Sequence, residues 1–359
     1  MLRPGVFRRE CDGSFLRISR LPSGWVLELL EPGRPAAEID PRCCRAVWSE
    51  WGKNWGISTF EVGRFFGEEV LLETNEGRRI TWRRVRAIDP LTEPQLFEGT
   101  ASLDERGLGV VRGALSPEEV DAATEACWEY LEEFGILRDA PESWPEDPIG
   151  VLRWAGQCRG SWLVRGNRKV QAAFRDVWGT DDLITSMDSL FLWRPWKALD
   201  QRTLGGWLHR DDHDPVVNDR CTVQGVVALT AADDSTGGFV CCLDSHLDHT
   251  ALGWRYVALE PGDLVLWDSR LYHASEPGCD ASSYDPKSLL RLAVAVCMVP
   301  RAAADPATLR KRLDLFRCGG TTMHSPHKIL DAQIHHRGDA PRVMSSVEDQ
   351  LDPGMRRVL

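Results

Sequence analysis

Two histidines and one aspartate in the second half of the chain have the types and the spacing of an iron site. His209 and Asp211 are two residues apart, so an extended strand would point both side chains to one face, where they could hold one cation together. His273 lies further along the chain and would supply a third ligand. Two imidazoles and one carboxylate form a facial triad, which leaves positions on Fe(II) open for substrate and O2. The three residues predict an oxygenase-type iron site.

Short apolar runs surround these residues and are typical of β-strands. Residues 223–230 and 238–243 are two such runs, separated by a turn-forming stretch of aspartate, serine and glycine. A second turn at residues 260–263 precedes a strand at residues 264–268, and His273 follows that strand closely. We therefore expect a β scaffold to position the triad.

The stretch from Trp207 to Pro300 resembles the phytanoyl-CoA dioxygenase family of Fe(II)- and 2-oxoglutarate-dependent oxygenases. Four motifs in the family order carry the resemblance: His209-Arg210-Asp211 for its His-x-Asp motif, residues 228–246 for its central hairpin, residues 268–275 for its distal histidine motif, and residues 291–296 for the strand with its 2-oxoglutarate-binding arginine. A His-x-Asp motif alone would be weak, but the order and spacing of all four make the match specific.

The resemblance implies a fold, a metal and a reaction. The fold would be mainly β with flanking helices, a double-stranded β-helix of the cupin-like jelly-roll type. His209, Asp211 and His273 would bind Fe(II), and 2-oxoglutarate and O2 would be co-substrates. Release of succinate and CO2 would accompany hydroxylation of an unactivated C–H bond in a small or lipid-like substrate. Related halogenases have a small residue in place of the carboxylate, so Asp211 argues against halogenation.

The resemblance also implies which residues bind 2-oxoglutarate. Arg291 would hold the distal carboxylate, because a guanidinium pairs bidentately with a carboxylate and stays charged. Ser275, two residues beyond the distal histidine, occupies the place of a family hydroxyl that helps to bind the co-substrate. Gln224 on the neighbouring strand is a further candidate.

One departure from the family pattern leaves open which arginine binds 2-oxoglutarate. The family arginine usually follows the distal histidine by about ten residues, whereas a polar, turn-rich run at residues 278–287 precedes Arg291 here. We interpret that run as a loop insertion. Arg270 or Arg255 could take the role instead.

Composition restricts the class of protein. The chain has 359 residues, 43% of them hydrophobic, which is enough for a sizeable core. Its formal net charge of −11 gives no support for binding nucleic acid. Eleven cysteines occur without a Cys-x-x-Cys pair. The N-terminus shows no apolar h-region and the chain no long apolar run, so we expect neither a signal peptide nor a membrane span. We expect a cytoplasmic protein with no membrane span and with a small-molecule substrate.

The pattern of turns, together with the family resemblance, divides the chain into four parts. Residues 1–90 alternate short apolar strands with Pro- and Gly-rich turns and predict a small β-rich module, residues 91–100 a linker, residues 101–310 the dioxygenase domain, and residues 311–359 a C-terminal extension. The tryptophans of the module fit a core, although a peptide- or ligand-binding surface is the other interpretation. A catalytically silent jelly-roll that binds a partner through this module is therefore the alternative function.

Helices and further strands can be predicted within the dioxygenase domain. Ser116 and Glu119 form a capping box with Pro117 in the first turn, which predicts a helix running to Gly135. Residues 170–179 predict a second helix, and residues 183–193 a strand.

The remaining histidines have structural interpretations beside the chemical ones. His213 has the right parity to replace His209, but only His209 fits the motif with Asp211. We expect His246 and His249 to belong to a polar turn after the central hairpin. The last four histidines form either a zinc patch or part of an extension draped over the domain: His324, His327, His335 and His336.

Overall fold

The computed structural model divides the chain into two compact units, residues 1–89 with 205–209 and residues 90–204 with 210–359. Within residues 5–90 it describes the backbone of nine strands. Beyond them it describes residues 91, 97–144, 149–194, 203, 209–211, 214–217, 219–233, 236–248, 254–277, 288–330, 334–335, 351 and 353–359. No helix in these stretches is long and apolar enough to cross a membrane. His213, His249, His336, the run at 278–287 and the module's tryptophan side chains lie outside the described residues.

The first unit is a closed antiparallel barrel of eight strands. The strands are β1 (Gly5–Arg9), β2 (Phe15–Leu21), β3 (Gly24–Leu29), β4 (Ala36–Asp40), β5 (Arg45–Trp48), β6 (Thr59–Phe66), β7 (Glu69–Thr74) and β8 (Arg79–Val85). Each strand pairs with the next, and β1 closes the barrel on β8, where Val6 faces Val85. The β-rich character predicted for this part of the chain is confirmed.

The second unit contains two antiparallel sheets. The larger comprises β10 (Leu108–Val111), β11 (Val151–Leu152), β12 (Leu183–Thr185), β13 (Leu190–Trp193), β14 (Val223–Ala228), β17 (Leu264–Asp268) and β19 (Arg291–Pro300). The smaller comprises β9 (Asp89–Pro90), β15 (Gly237–Cys242), β16 (Trp254–Tyr256) and β18 (His273–Pro277). The strand orders are β10-β17-β14-β19-β13-β11, with β12 also on β19, and β18-β15-β16-β9. The predicted double-stranded β-helix is confirmed.

The central strands of the larger sheet are buried on both faces. Val227 of β14 lies opposite Leu264 of β17, and both belong to a core cluster shared with the helices. Their neighbours Val226 and Val265 belong to a second cluster, which includes Phe239 of the smaller sheet. Alternate side chains therefore face the helices and the space between the sheets.

Seven α-helices flank the sheets in the described residues. They are α1 (Leu103–Arg106), α2 (Pro117–Glu132), α3 (Arg159–Gly166), α4 (Arg168–Trp178), α5 (Ser245–Asp248), α6 (Pro306–Arg317) and α7 (Pro353–Val358). The predicted capping box is formed at α2: Ser116 Oγ accepts from the Glu119 N–H, and a Glu119 carboxylate oxygen accepts from the Ser116 N–H at 2.8 Å. Helix α6 crosses the boundary expected at residue 310.

The prediction of a single strand at residues 183–193 is wrong, because the structure forms two strands there. β12 and β13 both pair with β19, but residues 186–189 between them belong to neither strand. There the Ser189 N–H and Oγ both donate to Asp188 Oδ1, at 2.7 and 2.8 Å. A serine and an aspartate that bond locally compete with strand pairing, and this interrupts the run.

Candidate metal centre

The structure brings together the two histidines and the aspartate that the sequence singled out. His209, Asp211 and His273 each offer one ligand atom, and these atoms lie within 4.8 Å of one another. Nε2 of His273 is 3.4 Å from Oδ2 of Asp211. The side chains of His273 and Asp211 are 6% and 14% exposed, so the group lies in a recess that solvent can still reach.

His273 is oriented by its own backbone and by aromatic neighbours. It is the first residue of β18, and its Nδ1 lies 2.8 Å from the carbonyl oxygen of Leu271. A carbonyl only accepts, so Nδ1 must carry the proton, and Nε2 keeps its lone pair for a metal. The ring packs against Trp267 and Phe239, with centroid distances of 5.1 and 6.0 Å.

Asp211 is positioned by a turn, although the sequence predicted an extended strand. Residues 209–211 belong to no named strand of the structure. The Asp211 N–H donates to the Ser269 carbonyl oxygen at 2.8 Å, which ties the residue to the turn after β17. Gln224 Nε2 of β14 donates to Asp211 Oδ2 at 2.6 Å. Gln224 therefore contacts the carboxylate, and its role in binding 2-oxoglutarate stays a prediction.

Arg291 is a buried cation beside the predicted hydroxyl. It begins β19 with 1% exposure, and its Nη1 donates to Ser275 Oγ at 2.9 Å. The guanidinium carbon lies 4.7 Å from the ring centroids of both Phe191 and Trp193, which allows cation–π attraction. Its Nε is buried without a hydrogen-bond partner among the described residues. Burial lowers the pKa of Arg291 to about 9.

The two other candidate arginines have partners of their own. Arg270 makes a bidentate ion pair with Asp268, Nε to Oδ1 at 2.9 Å and Nη2 to Oδ2 at 2.8 Å. The hydrogen bonds that Arg270 donates to the Asp268 carboxylate raise the pKa of Arg270. Arg255 donates from Nη1 to the Trp254 carbonyl oxygen at 2.8 Å. The geometry therefore favours Arg291 for binding a carboxylate.

The remaining histidines that the structure describes are not part of the triad. His246 is buried in α5 with Nε2 3.1 Å from the Asp104 carbonyl oxygen, which fits the structural turn expected there. His324, His327 and His335 form no group in the described residues that could hold a metal ion. Instead, His324 reaches the candidate centre, with Nε2 3.7 Å from Asp211 Oδ1. Sequence reasoning missed this, because no motif connects His324 to a residue so far away along the chain.

The residues present fit Fe(II) and 2-oxoglutarate. Two neutral nitrogen donors and one carboxylate match the donor set of a non-haem Fe(II) site. The buried Nε of Arg291 has no hydrogen-bond partner among the described residues, so it can donate to an anionic group. Ser275 beside it adds a hydroxyl to the same place.

Comparison with known proteins agrees with this chemistry. The model of the phytanoyl-CoA dioxygenase family matches residues 103–279 and confirms the resemblance carried by the first three motifs. Over 284 residues the chain is 26% identical to "Ava biosynthesis cluster protein O" of Aspergillus versicolor, covering 64% of this chain and 86% of that protein.

Two solved structures from nogalamycin biosynthesis are also similar. The non-heme alpha ketoglutarate dependent carbocyclase SnoK is 20% identical, with a TM-score of 0.43, covering 58% of this chain and 83% of that chain. The epimerase SnoN is 17% identical, with a TM-score of 0.41, covering 57% and 82%.

Proposed function

We propose that the protein is a hydroxylase of the iron- and 2-oxoglutarate-dependent oxygenase type, because the model of the phytanoyl-CoA dioxygenase family matches residues 103–279. Its cofactor is Fe(II), and 2-oxoglutarate and O2 are its co-substrates. The substrate we propose is a small or lipid-like molecule with an unactivated C–H bond. Residues 101–310 would carry this activity.

Each residue of the centre has a role in this proposal. His209, Asp211 and His273 would hold the iron, and Arg291 and Ser275 would hold the distal carboxylate of 2-oxoglutarate. When bound, the iron and 2-oxoglutarate supply the oxidising chemistry: 2-oxoglutarate becomes succinate and CO2, with one oxygen atom of O2 entering succinate and the other the substrate.

The protein's own contribution is orientation and exclusion of water. The Nδ1–H of His273 donates to the Leu271 carbonyl oxygen and keeps the opposite nitrogen turned to Asp211. The amide of Gln224 holds the Asp211 carboxylate. The rings of Trp267 and Phe239 cover His273, which keeps water from that side of the metal site.

The observation that carries the proposal is the burial of Arg291. No charged partner of Arg291 is found among the residues that the structure describes, and a buried charge without a counter-charge costs several kcal/mol, so the site is destabilising unless an anion binds there. Arg291 is 1% exposed, and desolvation alone accounts for its lowered pKa. Strongly perturbed groups of this kind concentrate at functional sites. A dicarboxylate that also chelates the iron would satisfy the arginine.

Product analysis tests the hydroxylase step. Purified protein, Fe(II) and 2-oxoglutarate would be incubated under ¹⁸O2 with a panel of fatty acids and small polycyclic compounds. We expect succinate release together with a product that has gained one ¹⁸O atom. Succinate release with an epimerised or cyclised product that lacks ¹⁸O would contradict hydroxylation while leaving the iron chemistry intact.

A further inference from the structure

A histidine from the C-terminal extension lies beside the carboxylate of the candidate iron centre. Oδ2 of Asp211 faces His273 Nε2 and accepts from Gln224, whereas Oδ1 is 3.7 Å from Nε2 of His324. A distance of 3.7 Å is too long for a hydrogen bond, but a shift of under about 1 Å would form one. The His324 side chain is 19% exposed, so it is partly shielded from water.

The segment before His324 is fixed to the second unit by hydrogen bonds. The Thr322 N–H donates to the Met187 carbonyl oxygen at 2.8 Å, and Gln157 Nε2 donates to the Gly320 carbonyl oxygen at 2.6 Å. Thr321 is fully buried, and its N–H donates to the His335 carbonyl oxygen at 3.0 Å. The backbone approaching His324 is therefore held in place.

The segment after His324 is fixed as well. Arg312 of α6 is 1% exposed and donates to the Pro326 carbonyl oxygen at 3.2 Å and to the Thr185 carbonyl oxygen at 2.6 Å. Lys328 Nζ donates to Asp214 Oδ2 at 3.0 Å. A segment anchored on both sides presents the imidazole to Asp211 in a defined position.

We propose that His324 is a positioning residue for Asp211, and this inference rests on the proposed function. Its Nε2–H would donate to Oδ1 and so fix the orientation in which Oδ2 is offered to iron. Hydrogen bonds from surrounding groups orient metal-binding carboxylates, and their loss typically lowers metal affinity about 10–100-fold. His324 does not belong to the group of ligand atoms formed by His209, Asp211 and His273, which favours a donor over a fourth ligand.

Mn(II) binding tests the positioning role of His324 without requiring catalytic turnover. The EPR signal of the free ion measures how much Mn(II) remains unbound. His324→Leu and His324→Gln are matched in size, but only the glutamine can donate. We expect His324→Leu to weaken Mn(II) binding about 10–100-fold and His324→Gln to restore most of the affinity. Leu330→Ala serves as the control, because Leu330 lies in the same part of the chain and is 56% exposed. Thermal unfolding of the metal-free proteins checks that each variant is folded.

Each outcome decides between explanations. Wild-type affinity in His324→Leu would overturn the positioning role and leave the proposed function standing. Equal losses in His324→Leu and His324→Gln would also overturn it, because an imidazole that glutamine cannot replace would act as a ligand. A wild-type protein whose Mn(II) binding is absent, or is unaffected by Asp211→Ala, would contradict the proposed iron centre and this inference with it.

Discussion

Asp211 is the residue through which the candidate centre is most tightly connected. Its carboxylate oxygens lie 2.6 Å from Gln224 Nε2, 3.4 Å from His273 Nε2 and 3.7 Å from His324 Nε2. These neighbours come from β14, β18 and the C-terminal extension. One side chain therefore connects three segments that are distant in sequence.

Replacing Asp211 by alanine should remove activity and preserve the fold. The change deletes the only anionic ligand of the triad, so we expect 2-oxoglutarate-dependent succinate formation to fall to background. Because the side chain is 14% exposed at the edge of the core, the midpoint of thermal unfolding should stay close to that of wild type. Retained turnover in Asp211→Ala would count against the triad.

Replacing Arg291 by leucine should affect the co-substrate far more than the metal. Truncating one partner of a buried ion pair costs about 2–5 kcal/mol, so the KM for 2-oxoglutarate should rise at least about 30-fold. Affinity for Mn(II) should change little. The control is Arg270→Leu, which removes the more exposed partner of the Arg270–Asp268 ion pair. A large rise in KM in the control variant alone would show that Arg270 binds 2-oxoglutarate.

Local patterns in the sequence could predict the residues near the centre, but not how distant segments meet there. His209, Asp211 and His273 fit a spacing, and Ser275 and Arg291 follow from it through the family motifs. His324 carries no such pattern. Its position depends on the bonds of Thr322 to Met187 and of Gly320 to Gln157, which only the folded chain forms.

At the scale of elements, helix α2 shows that the start of a helix can be predicted from the local sequence. Its start at Ser116 could be predicted because the capping box satisfies backbone N–H groups within four residues. Ser116→Ala should therefore lower the free energy of unfolding by about 1 kcal/mol, as measured by urea denaturation. Glu129→Ala, on the exposed face of the same helix, should change it by less than about 0.5 kcal/mol. Equal effects of the two changes would mean that the cap contributes no stability.

The strands could be predicted where apolar residues dominate the sequence. They could not be predicted where the end of a strand depends on how the folded chain pairs. β14 and β17 could be recognised from their apolar runs. The interruption between β12 and β13 was not recognised, because it depends on the local hydrogen bonds that Ser189 donates to Asp188 and not on the apolar pattern. An apolar run alone does not show which of its residues the partner strand will leave unpaired.

At the scale of the whole molecule, the C-terminal helix is part of the core of the second unit. Met355 of α7 is 3% exposed and clusters with Trp162 of α3 and Phe316 of α6. Met355→Ala should lower the free energy of unfolding by about 2–5 kcal/mol, as measured by urea denaturation. Arg357→Ala on the exposed side of α7 is the matched control. A loss below about 1 kcal/mol would show that the helix is not firmly packed.

The first unit shows the same limit of sequence reasoning. Its turns predicted short strands, but closure of the barrel requires β1 to pair with β8, which nothing in the local pattern indicates. A protein or peptide contact through residues 1–90 stays a prediction.

The central claim is that Fe(II) and 2-oxoglutarate bind together at His209, Asp211 and His273. Anaerobic titration of the purified protein with both, followed by visible absorption, tests it most directly. We expect a weak charge-transfer band of the chelated co-substrate that is lost in His209→Ala and in His273→Ala. A folded wild-type protein that shows no band at saturating Fe(II) and 2-oxoglutarate would contradict the claim and favour a jelly-roll that only binds a partner.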